Sequence, residues 1–361
     1  MTILKKVASG TMLAASLANA YAAEGFEPRY NMAGSLGGEI FAPPDQTGWA
    51  FGAAVTRVPV RRVTGDDGKD LTLSVPGATL SVPGLPSSLQ PAYGPGKTTV
   101  HGDGSMTRTD LAIAYITTEQ YNGGRYLFVL DLPYIRKDQH IAVSGATPSL
   151  SWPAPMPAQV QAGVANQFQA QYQNALSTQG AAATGITHGL GDAELMGGWQ
   201  FVGERWRVLG GASLILPTGK YQTDPKPDAG TGNFRTVRPA LQVAYLPTPK
   251  VALGAKVSLG LNSRNHDNQL RSGNWFGVEL AAGYMTPIGV VGLHALRVQQ
   301  YQDDQNNPFG ASRYRSTNAG AFFTTRVPVV DAVMTLQYID TTSSRNAKHA
   351  SFLQLRLIKL L

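Results

Sequence analysis

Apolar and polar side chains alternate along much of the chain with a period of two residues. Between residues 251 and 262 one face carries Val251, Leu253, Ala255, Val257, Leu259 and Leu261. The other face carries Ala252, Gly254, Lys256, Ser258, Gly260 and Asn262. Successive side chains of a β-strand point to opposite faces of the sheet. An apolar face opposite a small or polar face is typical of a strand between lipid and a barrel lumen.

Twelve such segments are predicted, at residues 48–63, 106–117, 124–137, 189–201, 206–217, 234–245, 251–262, 272–284, 289–302, 312–326, 332–341 and 351–361. Their connections alternate in length. The long ones are 64–105, 138–188, 218–233, 263–271, 303–311 and 342–350, and the short ones are 118–123, 202–205, 246–250, 285–288 and 327–331. An even strand number with long loops at one end and short turns at the other is typical of bacterial outer-membrane barrels.

The predicted fold is therefore all-β. It is a transmembrane antiparallel up-and-down β-barrel of about 12 strands, with long extracellular loops, short periplasmic turns and both termini in the periplasm. Trp199 and Trp206 flank the short 202–205 turn, where an interfacial aromatic girdle is expected. The predicted location is the bacterial outer membrane, with membrane lipid, lipopolysaccharide and the barrel assembly machinery as partners.

The first residues have the pattern of a secretory signal peptide, predicted over residues 1–23. Lys5 and Lys6 precede an apolar stretch, and small-x-small sites follow at Ala18-Asn19-Ala20 and Ala20-Tyr21-Ala22. Residues 24–47 form a segment before the barrel, which spans residues 48–361. That segment is long enough to be a lumenal plug, a periplasmic extension or one further strand. No later stretch has the 18 or so consecutive apolar residues of a membrane-spanning helix.

The charge is mildly positive. Removing Lys5 and Lys6 from the 30 basic residues leaves 28 against 23 acidic ones, spread along the strands without a basic stripe. This distribution disfavours nucleic acid as a partner. The chain contains no cysteine, and a closed barrel needs no disulfide to satisfy its edges.

Charged residues in the polar phase of the strands are expected to point into the lumen. A lysine or arginine facing lipid at the midplane costs roughly 2–4 kcal/mol. The candidate lumen-lining residues are Asp110, Asp131, Asp192, Glu194, Arg207, Arg238, Lys256, Glu279, Arg297 and Arg356. They serve either as ion pairs that bridge the wall or as part of a substrate path. In segment 289–302, His294 is in phase with Leu296 and Val298, which indicates a bulge or a different register.

The 138–188 connection is unusual because residues 139–191 contain no charged side chain. Residues 158–177 are predicted to be helical. Five apolar residues recur there at a spacing of four, and these candidate substrate-collecting residues are Val160, Val164, Phe168, Tyr172 and Leu176. The helix is expected to collect apolar molecules at the extracellular mouth or to rest on the lipopolysaccharide surface. A solvated, glutamine-rich loop is the alternative.

No catalytic, cofactor or metal motif stands out. The six histidines lack metal-ligand spacing, and neither a GxSxG motif nor a phosphate-binding loop is present. His266, Asp267 and Asn268 adjoin at a predicted loop tip without a matching serine motif. Asp303 and Asp304 precede two asparagines, which suits either a Ca²⁺ site or a solvated acidic loop tip. The expectation is a non-enzyme without a cofactor or a metal.

Several segments together resemble the phenol meta-pathway degradation protein family of outer-membrane barrels. They are Ala42-Pro43-Pro44 with Gly48-Trp49, Gly189-Leu190-Gly191-Asp192, Leu216-Pro217-Thr218-Gly219-Lys220-Tyr221, Asn265 to Gly273, and Gln300-Tyr301-Gln302-Asp303-Asp304. The resemblance covers most of residues 30–361. Two features depart from the family pattern: Gln269-Leu270-Arg271 stands where a Thr-x-Tyr is usual, and the chain ends in Leu361 rather than an aromatic residue.

The resemblance implies uptake of small hydrophobic or aromatic compounds across the outer membrane. No energy-coupling motif is visible, so transport is expected to be passive, through the lumen or a lateral opening. One alternative is a structural outer-membrane barrel that transports nothing. Another is a barrel-embedded lipid or ester hydrolase.

Overall fold

The computed structural model describes residues 28–30, 36–41, 46–307 and 312–361. The predicted signal peptide lies outside these residues. Within them, no helix combines the length and the hydropathy that a membrane-crossing helix requires.

Twelve long strands form the wall of the molecule. They are β1 (Gly48–Thr64), β5 (Gly96–Ile116), β6 (Arg125–Ser144), β9 (Glu194–Val202), β10 (Trp206–Ile215), β11 (Thr236–Thr248), β12 (Val251–Asn262), β13 (Trp275–Thr286), β14 (Gly289–Gln300), β15 (Arg315–Val327), β16 (Ala332–Arg345) and β17 (Ala347–Leu360). Five shorter strands lie in the connections: β2 (Leu71–Val75), β3 (Ala78–Thr79), β4 (Ala92–Tyr93), β7 (Leu150–Ser151) and β8 (Gly185–Leu190). Helix α1 spans Ala158–Ala183, and short 3₁₀ turns span Gly38–Phe41 and Ser87–Leu89.

The wall closes on itself. Neighbouring strands pair antiparallel in the order β5-β1-β17-β16-β15-β14-β13-β12-β11-β10-β9-β6, and β5 also pairs with β6. Closure leaves no free edge among these twelve strands, as a structure in lipid requires. The predicted twelve-stranded up-and-down barrel is thus confirmed, and the chain is an outer-membrane protein.

The outward face is apolar and exposed. It carries Phe51, Val55, Leu111, Phe128, Leu132, Leu241, Val257, Leu280, Leu293 and Leu355, each more than two-fifths exposed. A continuous apolar surface of this kind suits lipid and not water. Near the short connections it ends in aromatic pairs, Trp49 with Tyr115 and Trp206 with Tyr245, with ring centroids 5.0 and 4.5 Å apart. These pairs form the girdle expected at the periplasmic interface.

The predicted strand positions hold at all twelve places, with differences at the extracellular ends. β5 begins at Gly96 and β6 continues to Ser144, about ten and seven residues beyond the predicted limits. These extensions pair with each other, and that of β5 also pairs with β2, so that the sheet continues above the barrel rim. The ladder between β16 and β17 ends at Asp340–Ser351, close to the limits predicted for the connection 342–350. That connection is nevertheless extended, because β16 continues to Arg345 along β15 and β17 begins at Ala347 along β1. Asn346 separates the two strands, with a φ of 47°.

Helix α1 packs on this raised sheet. Its buried side chains Phe168, Tyr172 and Leu176 form one cluster with Val75 and Tyr93 of the preceding connection. Gly180 permits the close approach, since a Cβ there would lie 2.7 Å from the carbonyl oxygen of Ile141 on β6. The long 138–188 connection is therefore an ordered cap on one side of the extracellular end.

Candidate functional site in the barrel lumen

The chain before β1 lies inside the barrel. Residues 28–30 and 36–41, hereafter the lumenal segment, contact inward-facing side chains of β11 to β15. Leu36 is fully buried there, in a cluster with Ala244, Ala252, Ala281, Val290 and Phe322. Of the three alternatives for residues 24–47, the described part has the position of a lumenal plug.

The two described parts of the lumenal segment contact the barrel wall at different heights. At the periplasmic end, the backbone N–H of Gly38 donates to Thr324 Oγ1 at 3.0 Å. Arg29 lies at the extracellular end, beside Phe234 and Thr236 where β11 begins. The described residues 28–30 and 36–41 therefore lie near the extracellular and the periplasmic part of the lumen, respectively.

Arg29 fastens the extracellular end of the lumenal segment. Its guanidinium forms a 2.8 Å ion pair with Asp192, and both side chains are at least nine-tenths buried. It also donates to the carbonyl oxygens of Gly232 and Phe234 and lies 3.9 Å from the centroid of the Phe234 ring. A buried cation needs this degree of pairing, because leaving it without an anion costs several kcal/mol.

Asp192 is held by two segments that carried the family resemblance. The connection between β8 and β9 brings Gly191 and Asp192 against Thr218 and Gly219. Thr218 Oγ1 donates to the Gly191 carbonyl oxygen at 3.0 Å, and the Gly219 N–H donates to Asp192 Oδ1 at 3.1 Å. A Cβ on Gly219 would lie 2.6 Å from the Gly230 Cα, so only glycine fits. The two family segments together position the Asp192 carboxylate beside Arg29.

Glu279 fastens the middle of the lumenal segment. This fully buried carboxylate on β13 accepts the Leu36 N–H at 2.6 Å and the Tyr30 hydroxyl at 3.1 Å. The Tyr30 ring packs edge-on against Trp275, with centroids 5.4 Å apart. Backbone and side-chain contacts together hold the segment along its length.

Charged side chains form a belt around the lumen at mid-height. The charge belt consists of Arg108, Asp110, Asp131, Glu194, Arg238, Lys256, Glu279 and Arg356. Arg108 bridges Asp110 at 2.6 Å and Asp131 at 3.4 Å. Arg238 pairs with Glu194, and Lys256 lies opposite Glu279 in the β12–β13 ladder. Four cations balance four anions, so the belt gives the lumen no net charge.

The ten predicted lumen residues do not all lie in one place. Seven line the main cavity: Asp110, Asp131, Asp192, Glu194, Arg238, Lys256 and Arg356. Glu279 lies beneath the lumenal segment. Arg207 donates to the carbonyl oxygens of Gly203 and Trp206 in a periplasmic turn.

Arg297 is a correction to the predicted lumen set. It lies in phase with the outward-facing Val291 and Leu293 on β14, and it is exposed. It was assigned inward on the assumption that ionisable residues avoid the outer face. That assumption fails near the extracellular rim, where the lipid surface is polar.

The irregular phase of β14 has a different cause from a bulge. Pairing with β13 runs without interruption from Trp275–Gln300 to Thr286–Gly289, so the predicted bulge is wrong. His294, Leu296 and Val298 all face inward and are buried. His294 Nδ1 lies 3.3 Å from the Leu36 carbonyl oxygen. The inward face of β14 is apolar because it packs against the lumenal segment instead of water.

Two cavities remain beside the lumenal segment. The main cavity has a volume of about 500 Å³ and extends along β1, β5, β6, β9 and β10. An upper cavity of about 90 Å³ lies nearer the extracellular rim. Its wall is mostly apolar, with Val58, Val60, Met106, Ile141, Leu296, Val298 and Phe352, and it also includes the charged residues Asp103, Lys137, Asp138 and Lys348. Pro28 and Tyr30 line both cavities, so the lumenal segment stands between them.

The predicted substrate-collecting face of helix α1 is covered. Val164, Phe168, Tyr172 and Leu176 are at most 5% exposed, and only Val160 is exposed, at 38%. Four of the five residues therefore cannot contact a molecule arriving from outside. They anchor the helix to the raised sheet, and the face left outside carries glutamine, asparagine and alanine.

We expect Tyr172→Ala combined with Leu176→Ala to undock helix α1 without unfolding the barrel. Each large-to-small change in a packed cluster costs about 2–5 kcal/mol. Limited proteolysis within residues 145–157 should become at least about tenfold faster, while heat-modifiable gel mobility is kept. Tyr172→Phe is the matched control, because the Tyr172 hydroxyl has no hydrogen-bond partner among the described residues. Loss of heat-modifiable mobility would contradict a purely local role.

The loop clusters around Asp304 and around Asp267 and Asn268, which were considered as candidate sites above, are hydrogen-bonded to neighbouring residues. The buried Asp304 carboxylate accepts hydrogen bonds from the Gly273 N–H, Gln300 Nε2 and Ser312 Oγ, all within 2.9 Å. Donors, not a cation, surround it, and the described residues contain no group of three or more metal-ligating side chains. Asp267 accepts from Asn233, and Asn268 donates to the Tyr221 hydroxyl. Both clusters join neighbouring extracellular loops.

Sequence reasoning missed two residues of this site. Arg108 has the same strand phase as Asp110, so the alternation alone would have placed it inward. Arg29 precedes the strands, and its partner Asp192 lies 163 residues away. Nothing in the local pattern around Arg29 indicates that partner.

Comparison with known proteins agrees with the fold. A family model described as "Putative MetA-pathway of phenol degradation" matches residues 90–357, and the chain belongs to this family. No curated protein matches it in sequence. A crystal structure of the COG4313 outer membrane channel from Pseudomonas putida F1 superposes with a TM-score of 0.57 at 13% identity, covering 93% of this chain and 100% of that one.

Two further solved structures show weaker likeness. The β domain of the Bordetella autotransporter BrkA gives a TM-score of 0.42 at 11% identity, covering 88% of this chain and 100% of that one. The CymD monoaromatic hydrocarbon channel gives 0.35 at 10% identity, covering 92% and 95%. Identities this low show only a shared barrel fold.

Proposed function

We propose that this protein is a passive outer-membrane channel for the uptake of small hydrophobic or aromatic molecules. The observation that most directly supports this proposal is the mostly apolar wall of the upper cavity. A path for sugars or ions would present a mostly polar wall there, because apolar surface offers polar solutes no hydrogen bonds to replace those they make with water. An apolar solute gains by entering, at about 25 cal/mol for each Å² removed from water.

The main cavity supports the same proposal. Its volume of about 500 Å³ falls within the roughly 300–1,000 Å³ that small-molecule sites occupy. Its apolar surface lies beside the neutral charge belt, which offers hydrogen bonds to a single polar substituent without attracting ions of either sign. The family's association with phenol degradation is in keeping with such a ligand. The gradient and downstream catabolism would supply the driving force.

Leu296→Asp is expected to slow uptake of a radiolabelled aromatic hydrocarbon. The change removes apolar contact worth about 1.5–3 kcal/mol, so initial uptake at limiting concentration should fall about tenfold. The measurement compares cells carrying wild type, Leu296→Asp, Leu296→Met and an empty plasmid in a deletion strain. Leu296→Met keeps the volume and the apolar character, and should transport normally.

The same strains separate the alternatives. If the deletion strain takes up the hydrocarbon as fast as wild type at limiting concentration, a structural barrel without transport explains the fold better. Hydrolysis of lipid or ester substrates by the purified protein would instead favour the barrel-embedded hydrolase.

A further inference from the structure

Three arginines lie together on the outer face near the extracellular rim. Arg315 on β15 pairs directly with Arg345 on β16. Arg297 on β14 is two residues from Gln299, the other ladder partner of Arg315, so it lies diagonal to Arg315. Like charges directly opposite each other destabilise a sheet. An anion bound between these arginines would therefore relieve their mutual repulsion.

The described acidic residues supply only part of the negative charge that would balance these arginines. Arg345 bonds Asp66 Oδ1 at 2.5 and 2.9 Å, and this contact holds the pKa of Asp66 below its usual range. Arg313 bonds Asp303 at 2.6 and 3.2 Å. Among the residues that the structure describes, Arg297 donates only to the neutral Gln299 side chain, at 2.9 Å. Arg315 makes no hydrogen bond or salt bridge with any residue that the structure describes.

Most of these side chains line a polar cavity at the extracellular rim. Its volume is about 370 Å³, and it is lined by Asp66, Gln299, Asp303, Ser312, Arg313, Tyr314, Arg315 and Arg345. Among the lining residues, Arg313, Arg315 and Arg345 outnumber Asp66 and Asp303 by one positive charge. Arg297, beside the cavity, adds a second positive charge. A phosphate monoester carries about −1.5 to −2 charges near neutral pH and accepts paired N–H bonds from guanidinium groups.

The height of the cavity fits a lipid phosphate. Arg315 and Phe323 face outward on β15, eight residues apart. At about 3.4 Å per residue and a strand tilt near 40°, Arg315 lies about 20 Å above Phe323 along the membrane normal. Ala319 and Ala321, both exposed, occupy the face between them. The arginines thus begin where the roughly 25 Å apolar band ends.

We propose that Arg297, Arg315 and Arg345 form a binding site for a phosphate monoester of the lipopolysaccharide lipid anchor. The acyl chains would lie along the apolar outer face below the arginines. Inorganic phosphate presents the same chemistry without those chains. The site is independent of what the lumen carries.

The test measures retention of bisphosphorylated lipid A by the purified protein in detergent, using native mass spectrometry. We expect Arg297→Gln with Arg315→Gln to weaken binding about tenfold relative to wild type. Arg235→Gln is the matched control, because Arg235 is an exposed, outward-phase arginine at the extracellular end of β11. It should change binding less than twofold. Enzymatically dephosphorylated lipid A should bind wild type and the double variant equally weakly.

Equal retention by wild type and the double variant would overturn the proposal, as would an equal loss in Arg235→Gln. Displacement of lipid A by millimolar inorganic phosphate would assign the site to free phosphate instead. Heat-modifiable mobility reports whether the double variant is folded. If it is not, the single Arg315→Gln variant gives the same comparison with the least change to the wall.

Discussion

Deleting residues 28–41 is expected to raise single-channel conductance in planar bilayers about threefold or more. A twelve-stranded barrel is intermediate between filled eight-stranded barrels and water-filled porins. Its lumen is therefore wide enough to conduct only if chain does not occupy it. The described parts of the lumenal segment occupy this space and are hydrogen-bonded to Thr324 and Asp192. Even a single extended chain takes up a cross-section of about 5 by 10 Å, a large part of the available lumen.

The deletion is also expected to change what passes. Liposomes carrying the shortened protein should swell in pentose solutions, and those carrying wild type should not. Heat-modifiable mobility is the control for a closed barrel, since the twelve wall strands retain their ladder bonds. Unchanged conductance in a folded deletion variant would show that the lumenal segment does not limit the channel.

The wall could be predicted from sequence because lipid imposes one simple rule on it. Outward residues within the apolar band must be apolar, so the alternation from Val251 to Leu261 is enough to predict that strand. The short turns could be placed for the same reason. The raised parts of β5 and β6 could not, because beyond Gly104 their neighbours are β2 and other extracellular chain instead of lipid.

The interior follows no such rule. An inward residue is polar where it meets water or another charge, as in the charge belt, and apolar where it meets the lumenal segment, as at Leu296. Which of these applies depends on residues 28–41, more than 250 positions earlier in the chain. That is why the pattern of β14 suggests a bulge.

Helix α1 shows the same limit in another form. A spacing of four identified the apolar face of the helix correctly, from Val164 to Leu176. Periodicity states which side chains share a face, but not what covers that face. Here the preceding connection supplies the cover, through Val75 and Tyr93.

A double-mutant cycle on the buried pair should show how strongly the lumenal segment is held. Asp192→Asn leaves the Arg29 guanidinium buried without an anion, which is expected to cost about 3–5 kcal/mol of docking free energy. Arg29→Met should cost less, because Asp192 keeps the backbone N–H donors of Gly219 and Thr231. The double variant should recover much of the loss, since neither charge is then left unpaired. We expect a coupling energy of about 2–3 kcal/mol.

A single cysteine provides the measurement, because the natural chain contains none. In a Leu36→Cys background the thiol is protected while the lumenal segment is docked. The rate of labelling by a water-soluble maleimide therefore reports the undocked fraction, and rate ratios across the cycle give the free energies. The exposed pair Arg313–Asp303, with side chains 52% and 46% exposed, is the matched control and should couple by less than about 1 kcal/mol. If the free-energy costs of the Arg29 and Asp192 substitutions are additive, the lumenal segment is held by Glu279 and Leu36 instead. The two family motifs would then shape the extracellular loops without holding the segment in the lumen.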